Sequence, residues 1–225
     1  MTALPVVHAV TTDEIITRDD FLARASGIMR VLGPRGAIHL RASAVTSRHL
    51  HHLAATLAEL QDATGAWLIV NDRVDIALAS GARGIQLTSR SMDAADAIHA
   101  VRATAPGTPH PAFGLSVHGP EQAREAGEDS GISWLVVGHV FETPSHAGEA
   151  ARGAHMLRDV AAATTVPVIA IGGVRPTHVS ELREHGAYGL AVIRGIWRAD
   201  DAESAAAEYL SAYDAVHNTG ANGGP

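Results

Sequence analysis

The segment Val166-Pro167-Val168-Ile169-Ala170-Ile171-Gly172-Gly173-Val174 decides the fold. Its first six residues are apolar without alternation, as in a parallel strand covered on both faces. Two glycines follow at once, and then Arg175-Pro176-Thr177. Bare backbone directly after a buried strand lets N–H groups approach an anion with no Cβ in the way. The same pair also suits a plain tight turn.

Seven similar apolar runs lie around it: Pro5–Val10, Ala37–Leu40, Trp67–Val70, Gly84–Leu87, Phe113–Val117, Trp134–Phe141 and Gly189–Ile193. Helical spacing fills the gaps. Leu50, Leu53, Leu57 and Leu60 form one apolar stripe, as do Ala94, Ile98 and Val101, and then Val179 and Leu182. Glycine-containing turns at Ser80-Gly81-Ala82, Ser130-Gly131 and His185-Gly186-Ala187 return the chain to the next strand. Eight strands alternating with helices within 225 residues predict a single-domain (β/α)₈ TIM barrel. An open doubly wound sheet would show a glycine-rich fingerprint in its first βα turn, and Val10-Thr11-Thr12 is not one. The predicted domain covers residues 1–217, and the glycine-rich 218–225 reads as a disordered tail. The proline-bearing Ala105–Pro111 reads as a surface connection.

Composition narrows the function. Net charge is −7, so no global basic field favours nucleic acid or anionic lipid. No apolar run is long enough to span a bilayer, and the start Met1-Thr2-Ala3-Leu4-Pro5 lacks signal-peptide features. Cysteine is absent, which removes disulfides, thiolate metal sites and a cysteine nucleophile. A cytoplasmic protein with no membrane or nucleic-acid partner is expected.

In such barrels the reacting groups sit where strands end. Those ends read His39-Leu40-Arg41, Asn71-Asp72, Gln86-Leu87, Ser116-Val117-His118, Gly138-His139-Val140-Phe141-Glu142-Thr143, Gly172-Gly173 and Arg194-Gly195. Gly172, Gly173, Arg194 and Gly195 are candidates for a phosphate site at the last two strands, with a structural ion pair as the other use of Arg194. His139, on the face of Val137 and Phe141 if the strand runs through them, is a candidate proton carrier; a hydrogen-bonded structural histidine is the plainer use. Arg41 suits a carboxylate or a surface salt bridge. Asp72, with Asp75 three residues on, suits a helix cap, a Mg²⁺ ligand or a substrate contact. Asn71, Ser116 and His118 are further candidates to line the pocket, and Ser116 with His118 makes no triad. No metal motif such as H-E-x-x-H appears, and His49, His51 and His52 read as a solvated helix start.

Together the segments Val70–Leu78, Gly114–His118, Gly138–Thr143 and Ala170–Val174 resemble the thiamine-phosphate synthase/TenI family, from about His8 to Trp197. The resemblance implies a (β/α)₈ barrel, usually a homodimer, acting on thiazole phosphates. The synthase branch joins a pyrimidine diphosphate to a thiazole phosphate using Mg²⁺. It typically carries a lysine where Ser43 stands, a second aspartate where Ser91 stands, a lysine near His146 and proline at His139. The TenI-like branch resembles this chain at His139. On that basis the expectation is a thiazole tautomerase, an isomerase needing neither metal nor cofactor. In it His139 would move the proton, the backbone at Gly172, Gly173 and Gly195 would hold the phosphate, and Arg41 the carboxylate. The alternatives are the synthase itself and a non-catalytic thiazole-phosphate binder. Many relatives have Ser or Ala at the place of Arg194, so its pocket is expected to be reshaped.

Overall fold

The computed structural model describes residues 3–104, 110–128, 131–143 and 151–221. Eight parallel strands close on themselves in sequence order. They are β1 (Val7–Val10), β2 (Gly36–Leu40), β3 (Trp67–Asn71), β4 (Gly84–Leu87), β5 (Ala112–Val117), β6 (Ile132–Val137), β7 (Val168–Ile171) and β8 (Gly189–Val192). Around them run α1 (Asp13–Ile16), α2 (Phe21–Leu32), α3 (Ser47–Thr64), α4 (Val74–Ser80), α5 (Ala94–Thr104), α6 (Pro120–Glu128), α7 (Gly153–Ala162), α8 (Val179–Glu184), α9 (Arg194–Trp197) and α10 (Ala202–Ala221). The TIM barrel is as the alternation predicts. Helix α10 takes in 218–221 of the segment read as a tail; residues 222–225, most of the 105–111 connection, Ser130 and His146 lie outside the described residues.

Each strand sorts its side chains by parity. One set fills the barrel, where Val10, Ala37, Trp67, Ile69, Trp134, Ile169 and Ala191 form their own buried cluster, with the Trp67 and Trp134 rings edge-on at 6.5 Å. The other set meets the helices, for example Val7, Ile38, Leu68, Ile85 and Leu135. Helix α3 shows how the shell is tied on. Thr46 accepts from the His49 N–H at its start, Gly65 closes it in the left-handed region, and Leu50, Leu53 and Leu57 are buried. Its buried Gln61 accepts from the N–H groups of Leu68 and Arg83 and donates to the Gly81 carbonyl, fixing the entries to β3 and β4. A buried amide so satisfied costs little and specifies register.

β6 stops well before its apolar run does, a larger shortfall than at β1, β7 or β8. β6 ends at Val137, and residues 138–141 form a segment laid beside the exit of β7, with Val140 N–H donating to the Ile171 carbonyl and Phe141 N–H to the Gly172 carbonyl. The backbone after Val137 turns to meet β7, so Val137, His139 and Phe141 do not share a strand face. Val137 packs in the outer shell instead.

Candidate active site at the barrel mouth

A cavity of about 650 Å³ opens at the carboxyl ends of the strands. It gathers Arg41, Asn71, Ser116, His118, His139, Gly172, Gly173, Arg194 and Gly195 from distant points of the chain. Of the candidates, Asp72 alone is not on its wall; it sits behind Thr88.

The side at β7 and β8 is built from backbone. Gly172 and Gly173 have φ of 103° and 65°. A Cβ on Gly172 would lie 2.5 Å from the His139 Cβ, and one on Gly173 would strike the Glu142 carbonyl. Only glycine lets the β6 and β7 exits pack this closely and leaves peptide groups bare at the mouth. Arg194 donates to the Thr143 hydroxyl at 2.7 Å, so its guanidinium is held over this side by a neutral partner. His139 is buried against Gly172, and its carbonyl accepts from the Arg152 N–H.

The side at β2 to β4 is built from side chains. Asp72 has φ of 61°, and its Oδ1 accepts from the Thr88 and Ser91 hydroxyls at 2.5 and 2.6 Å. Arg90 stands 3.5 Å from Oδ2. The capping use of Asp72 and Asp75 is not realised. Helix α4 starts after Arg73 with no side-chain cap, and Asp75 pairs with Arg73 at 2.6 Å. Ser43 turns away from the mouth, its N–H and hydroxyl both donating to Asp13. Arg41 shares its backbone with Thr11, whose hydroxyl accepts from the Arg41 N–H and donates to the Arg41 carbonyl.

Arg152, Arg175, Gln86, His39 and Tyr209 also line the cavity. His39 and Gln86 stood among the strand ends, and strand parity with Asn71 would have aimed them inward. Arg152 follows residues 144–150 and carries no motif; only the fold brings it to the mouth, where it donates to the His118 carbonyl at 2.7 Å. Among the described residues, four arginines and a single carboxylate, Glu142, line the wall. That excess of cations at a mouth with bare backbone suits a multiply anionic, phosphorylated ligand.

The profile of the Thiamine monophosphate synthase family, which includes TenI, matches residues 7–196. The chain belongs to this family. A thiamine-phosphate synthase of Chlorobium luteolum is 33% identical over 206 residues, covering 91% of this chain and 92% of that one. One from Pyrococcus furiosus is 33% identical over 176 residues, 78% of this chain and 81% of the other. The solved thiamine phosphate pyrophosphorylase from Pyrococcus furiosus superposes with a TM-score of 0.77 at 30% identity, covering 95% and 96% of the two chains. The family supports an enzyme of thiamine biosynthesis.

These relatives overturn the tautomerase expectation, since they are named synthases, which are transferases rather than isomerases. That expectation weighed four positions of the sequence, His139, Ser43, Ser91 and His146, above the whole chain. His139 does not project from a strand, and Ser43 is engaged by Asp13. No helix among the described residues is long and apolar enough to cross a membrane.

Proposed function

We propose that this protein is a thiamine-phosphate synthase, joining a pyrimidine diphosphate to a thiazole phosphate. The observation that carries the reading is the 33% identity to the Chlorobium luteolum synthase across 91% of the chain. The reaction forms a bond from the thiazole nitrogen to the exocyclic methylene carbon of the pyrimidine. The carbon–oxygen bond to the diphosphate breaks, and diphosphate leaves with the electron pair. No proton needs to move between carbon atoms, so the site needs anion binding and alignment more than a general base.

The residues supply both. The N–H groups around Gly173 and Gly195, with Arg194, suit the thiazole phosphate. Arg41, Arg152 and Arg175 bring positive charge for a leaving diphosphate, and fixed guanidinium groups stabilise charge that grows on the departing oxygen. Asn71, Ser116 and His118 line the space between. His139 contributes wall rather than a proton step.

Synthases of this kind use Mg²⁺, and the residues here do not fit a protein-built site for it. Two hydroxyls already occupy the Oδ1 of Asp72, Asp75 is paired with Arg73, and Ser91 stands where the family resemblance would put a second carboxylate. Among the described residues no group of three or more His, Cys, Asp and Glu is gathered to hold a metal ion. That same observation favours a second reading, a thiazole-phosphate binder without turnover.

One assay separates them. Purified protein is incubated with the pyrimidine diphosphate and thiazole phosphate, with and without Mg²⁺, and thiamine phosphate is quantified against a protein-free blank. Product above blank is expected. Thiazole-phosphate binding without product supports the binder, and neither product nor binding removes the substrate class.

A further inference from the structure

The phosphate side of the mouth depends on two consecutive glycines, the residue type least able to hold a conformation by itself. Their peptide groups must be fixed by neighbours before a ligand arrives. On one flank the Phe141 N–H donates to the Gly172 carbonyl at 2.9 Å. On the other flank the peptide plane that follows Val174 is held at both ends. Its carbonyl accepts from the Tyr209 hydroxyl at 3.0 Å, and its N–H, that of Arg175, donates to His178 Nδ1 at 3.3 Å. The His178 ring in turn stacks on Phe141, with centroids 4.0 Å apart. The turn at Gly173 is clamped between Phe141 and Tyr209.

Tyr209 reaches this clamp from outside the strand ends. It stands on α10, beyond residue 196, where the family profile stops. It is 4% exposed, yet it shares the cavity wall with Val174, Arg175 and Gly195. Its hydroxyl also meets the exit of β8: a Cβ on Gly195 would lie 2.3 Å from the oxygen, closer than side chains pack. A single oxygen is thus wedged between the two backbone segments that the phosphate reading uses. Burial pushes the phenol up to about 12, with Glu208 adding and Arg175 opposing, so the proton stays in place near neutral pH. That proton goes to Val174 and is not offered to a phosphate oxygen. Tyr209 therefore acts on the ligand through the backbone that it fixes.

We propose that Tyr209 is a positioning residue that sets the spacing of the β7 and β8 exits and so gives the site its preference for a thiazole phosphate over the unphosphorylated thiazole alcohol. Fixing in advance what binding would otherwise have to order raises affinity. The inference rests on the reading that seats the thiazole phosphate at β7 and β8.

The phosphate ester and the alcohol are titrated by calorimetry into wild-type protein and into Tyr209→Phe, which keeps the ring and loses the hydroxyl. Affinity for the phosphate is expected to fall about fivefold to tenfold, the size of one lost hydrogen bond, while that for the alcohol holds. In turnover the KM for thiazole phosphate should rise by the same factor and the KM for the pyrimidine diphosphate should not. A tyrosine that only supports the fold would lower Tm and weaken both thiazoles alike, which overturns the proposal. The wedge is read by Gly195→Ala, alone and combined with Tyr209→Phe. Alone, the added methyl group meets the hydroxyl and should cost about tenfold in phosphate affinity. Without the hydroxyl the nearest atom is Val192 Cγ1 at 3.1 Å, so the same change should cost at least about threefold less. Losses that simply multiply overturn the wedge. Should Tyr209→Phe not fold, full phosphate affinity in Gly195→Ala overturns it as well. An unchanged phosphate preference in Tyr209→Phe overturns this inference and leaves the synthase standing. If wild-type protein binds no thiazole phosphate, the substrate reading falls, and this inference with it.

Discussion

The two sides of the mouth are made differently. At β7 and β8 the site is backbone: two glycines in the left-handed region, their N–H groups, and one arginine parked on Thr143. At β1 to β4 it is side chains held by other side chains, with His8 behind His39 behind Asn71, and Thr88 and Ser91 on Asp72. A site of the first kind tolerates change around it but not in it. In the second, what a residue does depends on partners scattered along the chain.

The harshest test of the contrast is Gly173→Asp. It puts a side chain where φ is 65°, against the Glu142 carbonyl, and a negative charge beside the phosphate. Thiazole-phosphate affinity should fall by more than about a hundredfold, read by calorimetric titration. Normal binding would move the phosphate to the other side.

Next is acid sensitivity, which belongs to the side-chain half. The His8 value in the folded protein, about 4, lies below its ordinary 6.5, so the unfolded chain binds more protons between those values. Stability from this group is complete above about pH 6.5 and is lost as pH falls towards 4, on the order of 3 kcal/mol. Urea midpoints from pH 7.5 to 4.5 measure it, and His8→Leu should flatten that part of the profile. An unchanged slope in the variant would mean that other groups carry it.

Arg194→Ala removes one charged donor from the backbone side and should weaken thiazole-phosphate binding about tenfold to a hundredfold, with little change in Tm. If Tm falls and binding holds, the Thr143 bond is structural only.

The mildest effect is expected from Asp72→Asn. The amide oxygen still accepts from Thr88 and Ser91, so stability should change by about 1 kcal/mol or less. A large loss of Mg²⁺-dependent turnover at unchanged Tm would instead show that Asp72 holds metal with the substrate.

The contrast also explains what the sequence revealed. Gly172-Gly173 after Val166–Ile171 could be read as a strand end with bare backbone at the mouth, because glycine acts through its own backbone. The eight strands were legible because double burial leaves unbroken apolar runs, and β6 was overrun only because Val140 and Phe141 are apolar for another reason, packing beside β7. The sequence left the use of Asp72 open between cap, metal ligand and substrate contact, because its partners, Thr88 and Ser91, lie on another loop. Ser43 is tied to Asp13 and Ser91 to Asp72, pairings that spacing alone does not disclose. Arg152 was invisible for the same reason.

Tyr209, on α10, donates to the Val174 carbonyl at 3.0 Å and lines the cavity. The same helix packs on α2 and α8. A ribosome building this protein therefore makes the glycine cradle well before the residue that braces it. Until residue 209 has emerged, the nascent barrel lacks the brace behind Val174, and β8 has only just become available to close against β1. Ligand binding should thus appear late in synthesis, and phosphate affinity on stalled chains of increasing length would time the closing of the ring.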